Sequence, residues 1–329
     1  MIPRRSFLGA SFALLAAASA RAQWDKPTPA VGDPDAPRWP PGEHFPLWPG
    51  KPPGAPSAPI KPDWTMNGPK GERQLWIRGV PFPRVHVFRP ANPTGSALLV
   101  IPGGGYGFLS VQNEGSNAAR RFIAHGITVF VLEYRLPGEG WSNRHLVPLQ
   151  DTQRAMRLIR SRAEAFKIDP AKLGVLGFSA GGHLAADLAV SHSERTYSPL
   201  DAADALSAKP AYVGLLYPVV TLIDPGGASQ SADRLLGPSP AQTLLESRSP
   251  LLHVTKDTPP SFLAHAMDDA TVPATNTSRW VEAARNAGAV VESHVFAEGG
   301  HGFGLGLSRD LPGSRWPELF SLFLRRHGG

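Results

Sequence analysis

The stretch "GVLGFSAGGHLA", residues 174–185, places one serine among four glycines, with an apolar run before it and a helix-forming run after it. Gly177-Phe178-Ser179-Ala180-Gly181 fits the pattern G-x-S-x-G, and it lies between the strand-like "LGVLGF" (173–178) and the helix-like "GGHLAADLAV" (181–190), as that pattern requires. A strand that turns sharply into a helix crowds its own backbone, so residues without a Cβ are needed two positions either side of the turn. On this reading the glycines are steric permission for an exposed hydroxyl at Ser179. The turn also sets Ser179 at a helix N-terminus. There the amide of Ala180 lacks an intrahelical partner and points at any oxyanion formed on an attacked carbonyl. The competing reading is a glycine-rich turn whose serine only caps a helix.

Outward from this turn, short β-rich runs alternate with helix-period segments from about residue 75. The strand candidates are 97–102, 127–134, 173–178, 211–218, 261–266 and 290–296. Between them, Leu149, Met156, Ile159, Ala163 and Phe166 fall on one face of a helix expected over 147–166, which Asp169-Pro170 stops. Continuous apolar strands separated by helices predict an α/β fold with a mostly parallel central sheet and helices on both faces. The catalytic domain is expected to run over 71–329.

Three further features bear on the serine. "IPGGGYGF" (101–108) follows a strand, and its glycines let a backbone amide approach a substrate closely. Gly104 and Gly105 are the candidates for the second oxyanion donor, with Gly103 serving the turn. A phosphate cradle is disfavoured because no G-x-G-x-x-G or G-x-x-x-x-G-K-[ST] follows. "HAMDDATVP" (265–273) runs a strand into a loop with two adjacent carboxylates. A serine needs a base, and an imidazole base needs a carboxylate to fix its tautomer; Asp269 is taken for that role over Asp268, which suits a loop cap. "EGGHGFGL" (298–305) carries His301 between glycines on a loop, the candidate base. His183 lies one helical turn beyond Ser179 and reads as a support behind the site or as packed core, and His125 and His265 read as structural. The order Ser179, Asp269, His301 is that of α/β-hydrolases and differs from the two other serine-hydrolase orders. With no H-E-x-x-H and no cysteine, neither metal nor cofactor is expected.

The chain begins "MIPRRSFLGASFALLAAASARAQ": paired arginines, an apolar run from Phe7 to Ala18, and Ala20-Arg21-Ala22 as a small-x-small cleavage site. Residues 1–22 read as a twin-arginine export signal, which places the mature protein in the periplasm or outside the cell. The apolar run is too short to serve as a bilayer span, so no stable membrane insertion is expected after its removal. The formal charge of +6 loses three arginines with this leader, and what remains is scattered, which argues against a nucleic-acid partner. Residues 23–70 hold 14 of the chain's 35 prolines and Trp24, Trp39, Trp48 and Trp64. Proline forbids regular helix, and four tryptophans need somewhere to dock, so this segment reads as an extended arm lying on the catalytic domain.

The set "IPGGGY", "LEYRL", "QDTQRAMRLIRSRA", "LGFSAGGHLA", "LYPVV", "DTPPSFLAHAMDDATVP" and "EGGHGFGL" resembles the esterase/lipase branch of the α/β-hydrolase superfamily. More narrowly, it is similar to the acetyl-xylan-esterase-like group that includes bifunctional xylan deacetylase/feruloyl esterases. The resemblance runs from about residue 46 to the C-terminus. It implies an α/β-hydrolase fold, a nucleophile at Ser179, an acid at Asp269, a base at His301 and an oxyanion loop over Gly103 to Gly105. Pro102 departs from the histidine that many esterases and lipases carry before these glycines. The substrate so implied is an acylated carbohydrate such as xylan, or a small ester. A prolyl-peptidase-like hydrolase shares the triad but carries a large extra domain, and a non-catalytic carbohydrate-binding relative would have no use for the complete set.

Overall fold

The computed structural model describes residues 26–40, 42–69, 71–223 and 229–327. The leader read over residues 1–22, like Trp24, lies outside them. In chain order the strands are β1 (Thr28–Pro29), β2 (His44–Pro46), β3 (Asp63–Asn67), β4 (Gln74–Arg78), β5 (Arg84–Phe88), β6 (Ala97–Ile101), β7 (Thr128–Glu133), β8 (Leu173–Phe178), β9 (Val213–Leu216), β10 (Ser261–Ala266) and β11 (Val291–Phe296). The α-helices are α1 (Ala118–Ile123), α2 (Val147–Ser161), α3 (Ala163–Phe166), α4 (Ala180–Ser191), α5 (Ser229–Leu236), α6 (Gln242–Ser247), α7 (Thr275–Ala287) and α8 (Trp316–His327).

The main sheet has the order β11-β10-β9-β8-β6-β7-β5-β2. All pairings among β6 to β11 are parallel, and these are the six runs that the sequence marks as strands. Successive residues point to opposite faces, so β6 sends Leu98 and Val100 to one core and Leu99 and Ile101 to the other. The first core is closed by α1 and α8 through Phe122, Trp316 and Phe320. The second is closed by α2, α4 and α7 through Met156, Leu184 and Trp280. A sheet covered on both faces must be apolar throughout, which is why these strands are continuous hydrophobic runs.

Two expectations need adjustment. The helix expected over 147–166 is broken, because Arg162 at φ −116° and ψ 20° leaves the helical region and α3 starts anew. The sheet also has two strands that the sequence did not disclose: β5 pairs antiparallel with β7, and β2 pairs antiparallel with β5 at the edge. Pro46 can close β2 because an edge strand has one row of amides to spare.

The proline-rich segment supplies β1 and β3 to a small antiparallel sheet with β4, and β2 to the main sheet. Its anchor is Trp48, which is buried and donates its indole N–H to Asp151 Oδ1 at 2.8 Å. The same carboxylate binds the fully buried guanidinium of Arg135, whose plane lies over the Trp48 and Trp141 rings. Two buried opposite charges with aromatic walls hold one another only when every donor is met, and Arg135 also donates to the Pro53 carbonyl and Gln150 Oε1. Among the described residues no helix is long and apolar enough to cross a membrane.

Candidate active site

The loops that leave the C-terminal ends of β6, β8, β10 and β11 meet at one spot. Ser179 follows β8 and opens α4, at φ 53° and ψ −118°. A non-glycine residue holds such a conformation only where its surroundings over-determine it. Here the Ser179 amide donates to the Leu216 carbonyl at 3.0 Å, hanging the turn on the neighbouring strand. A Cβ on Gly177 would stand 2.1 Å from the Gly181 carbonyl oxygen, and one on Gly181 would stand 2.2 Å from that of Ile101. Both obstacles are backbone, so the glycines are required by the turn.

His301 lies in the loop after β11. Its Nε2 accepts the Ser179 hydroxyl proton at 2.8 Å, and its Nδ1–H donates to Asp269 Oδ2 at 2.7 Å. The hydroxyl and the carboxylate each fix one nitrogen, so the tautomer follows from its partners. Asp269 is buried in the loop after β10, and its other oxygen accepts the amides of Thr271 at 2.9 Å and Val272 at 2.8 Å. Burial opposes its ionisation, but hydrogen bonds from His265 and His301 prevail and hold the carboxyl far below the usual aspartate range. Asp268 points elsewhere and accepts the Gly300 amide at 2.8 Å, bracing the His301 loop from outside.

The glycine loop after β6 packs against the serine. A Cβ on Gly103 would come within 3.0 Å of Ser179 Cβ and 2.5 Å of the Phe178 carbonyl. The Gly103 amide is already given to Glu114 Oε2 at 2.8 Å. Gly104 (φ 126°) and Gly105 (φ 57°) make the turn, and among the described residues their amides pair with no other backbone group. Ala180 is at the first position of α4, where a helix leaves its amide unpaired. The loop is held from outside by Arg234 of α5, which donates to the Gly105 carbonyl at 3.3 Å. Among the described residues no three His, Asp or Glu side chains cluster as metal ligands would.

Several side chains around this spot were not legible as site residues. His265, inside β10, donates Nε2–H to Asp269 Oδ2 at 3.2 Å and to the Val272 carbonyl at 2.9 Å, and accepts the Thr277 hydroxyl at Nδ1. It is structural in its packing, as its strand position suggested, yet it also holds Asp269. His183 is fully buried and accepts the Tyr106 hydroxyl at 2.7 Å while donating to the Arg248 carbonyl at 2.8 Å, so it ties the glycine loop to α4. His125 is exposed after α1. Glu114 and Tyr217 are buried and bonded to each other at 2.8 Å. A lone glutamate and tyrosine over 100 residues apart give no local signal.

Known proteins share this architecture. The chain is 32% identical over 231 residues to an acetylxylan esterase of Xylanibacter ruminicola, covering 67% of this chain and 43% of that protein. It is 36% identical over 208 residues to endo-1,4-beta-xylanase B of Butyrivibrio fibrisolvens, covering 62% of this chain and 32% of that protein. The chain thus spans less than half the length of these curated relatives. Among solved structures, the acetyl ester-xyloside bifunctional hydrolase of Caldicellulosiruptor lactoaceticus superposes with a TM-score of 0.72 at 30% identity, over 87% of this chain and 97% of that one. The fold is that of the α/β-hydrolases. The BD-FAE family model matches residues 85–283, well over half of the chain, and the chain therefore belongs to the BD-FAE family.

Proposed function

We propose that this protein is a serine carboxylesterase that removes short acyl groups, acetyl above all, from plant polysaccharide such as xylan. The observation that carries the reading is the contact of Ser179 Oγ with His301 Nε2 at 2.8 Å, on a strained turn beside two uncommitted loop amides. The names of the similar proteins, an acetylxylan esterase and an acetyl ester-xyloside hydrolase, support the substrate class.

In the proposed reaction, Ser179 Oγ bonds to the ester carbonyl carbon as its proton passes to His301 Nε2, and the carbonyl π pair moves onto oxygen. That oxyanion accepts hydrogen bonds from the amide of Ala180 and from Gly104 or Gly105. Its collapse breaks the bond to the sugar oxygen, which leaves with the imidazolium proton. Water then attacks the acyl-serine, giving one proton to His301. The second collapse returns that proton to Oγ and releases the acid. Asp269 stays ionised throughout, orienting the imidazole and stabilising its charged form.

A short acyl pocket is supported by residues 221–260. Their helices are brief, and Ala232, Leu235 and Leu236 turn into the core, so that among the described residues of this segment the large apolar side chains left exposed are Ile223 and Leu252, too few to cradle a long chain. Release of acetate from acetylated xylo-oligosaccharides tests the proposal, beside p-nitrophenyl acetate and octanoate. Acetate release, with kcat/KM higher for acetate than for octanoate, is expected. Octanoate preference removes the short-pocket reading, and no acetate from any acetylated glycan removes the substrate class.

The leader motif supports export through the twin-arginine route to the periplasm or beyond, with maturation at Gln23, the arm over 23–70 and the catalytic domain over 71–329. An exported protein whose intact mass retains residues 1–22 contradicts this.

A further inference from the structure

In the main sheet the glycine loop leaves β6 and the His301 loop leaves β11, with β8, β9 and β10 between them. Four inter-strand steps at about 4.8 Å separate the strands by roughly 19 Å, yet their loops must meet over one hydroxyl. The ladder gives them no direct tie. A single π-helical turn, Gln112–Asn117, lies against both, and π turns are rare and concentrate at functional sites.

On one side of this turn Glu114 Oε2 accepts the Gly103 amide at 2.8 Å. On the other, Glu114 Oε1 accepts the Tyr217 hydroxyl at 2.8 Å, and that hydroxyl oxygen accepts the Gly304 amide at 3.0 Å, three residues beyond His301. The Tyr217 ring also stands edge-on to the His301 ring, with centroids 5.1 Å apart. Asn113, the preceding residue, donates from Nδ2 to the Gly302 carbonyl at 3.0 Å. Every link is buried or half-buried.

We propose that Glu114 is a positioning residue for ester hydrolysis, setting the oxyanion loop and the general-base loop relative to one another through Gly103 and through Tyr217–Gly304. The inference rests on the esterase reading. A carboxylate suits the place because it offers an acceptor to each of two facing donors. Glutamine would turn an NH2 group toward one of them. Burial pushes the Glu114 carboxyl upward, against the hydrogen bonds from Tyr217 and Gly103. A buried acid retained at that cost needs a use beyond packing.

The test compares the wild type with Glu114→Gln, Tyr217→Phe and the double variant. Readouts are kcat and KM on p-nitrophenyl acetate, the rate of fluorophosphonate attachment to Ser179, and Tm. Loss of the brace misplaces two loops without touching substrate. Each single variant should therefore lose about 10- to 100-fold in kcat and in labelling rate, with KM nearly unchanged. The double variant should be little worse than the worse single one, because both changes break one brace. Folded variants with wild-type kcat, a change confined to KM, or fully additive losses overturn the proposal. If Glu114→Gln does not fold, Tyr217→Phe alone decides, since it leaves the Glu114–Gly103 bond in place: a fall in kcat supports the brace and an unchanged kcat refutes it. A wild type that does not label at Ser179 overturns the esterase reading and the brace together. A labelled wild type with equally fast variants overturns the brace only.

Discussion

Replacing Asp269 by asparagine exchanges one oxygen for an NH2 group, and the surroundings dictate which. Oδ1 accepts two backbone amides, from Thr271 and Val272, while Oδ2 accepts ring N–H groups from His301 and His265. Turning the new NH2 toward the backbone would face it with two donors, the buried Val272 amide and the half-buried Thr271 amide, at about 1–3 kcal/mol each. Toward the histidines the NH2 is left facing one donor, His265 Nε2–H, so a balance of about 1–3 kcal/mol keeps the asparagine oxygen on the backbone side and the NH2 toward the histidines. His265 cannot readily give up its Nε2 proton, because that would set a bare nitrogen against the Val272 carbonyl. His301 can, and its proton then resides on Nε2, where it blocks transfer from Ser179. A wrong tautomer of this kind lowers kcat in Ser-His-Asp enzymes by about 10⁴-fold, or about 5.5 kcal/mol. Kinetics on p-nitrophenyl acetate, with Tm recorded alongside, measure the effect. Asp268→Asn, which disturbs one outer bond to Gly300, should stay within about tenfold of the parent on the scale of one surface hydrogen bond. Asp269→Asn within tenfold of wild type, or Asp268→Asn as the more damaging change, would refute the tautomer argument.

The acid side of the pH profile follows from the same carboxylate. A neutral imidazole must accept the serine proton, while Asp269 is held ionised far below the usual range, so log(kcat/KM) should fall with a slope of one as pH drops; a slope of two would mean that Asp269 titrates in the same window. The depressed Asp269 carboxyl also stabilises the fold at neutral pH, and this contribution is lost only as pH falls below the ordinary aspartate range, measurable as an acid-side drop in Tm that Asp269→Asn lacks. Trp48→Ala removes a buried indole and leaves the Asp151–Arg135 pair without one donor; denaturant melts should show a loss of about 3–5 kcal/mol, and a loss under 1 kcal/mol would mean that the proline-rich arm is not anchored there.

The parallel strands are legible because burial on both faces forces uninterrupted apolar runs, and the short run "LGVLGF" reads as strand because Asp169-Pro170 precedes it and the glycine turn follows it. The residues Ser179, Asp269 and His301 stood out for a related reason. Each sits in a glycine- or carboxylate-marked loop directly after such a strand, and the fold brings all three ends together. What stayed hidden depends on long-range partners. The short strands β2 and β5 carry His44, Pro46, Arg84 and His86, and only pairing at the sheet edge makes them strands. The break at Arg162 interrupts no apolar periodicity, since Ala163 and Phe166 keep to the same face. Glu114 reads as an ordinary surface glutamate of a polar segment until Gly103 and Tyr217 close around it. His265 reads as structural from its strand position, and nothing local tells that its ring edge meets Asp269 after the chain turns.

Fluorophosphonate labelling followed by peptide mass analysis tests the assignment of Ser179 most directly. If the serine is activated as its contact with His301 indicates, Oγ bonds to phosphorus as the P–F bond breaks, fluoride leaves and the proton goes to the imidazole. One adduct per chain is then expected on the peptide containing Ser179, lost in Ser179→Ala and much slowed in His301→Ala. An adduct on another residue, or labelling that persists in folded Ser179→Ala, would contradict the assignment.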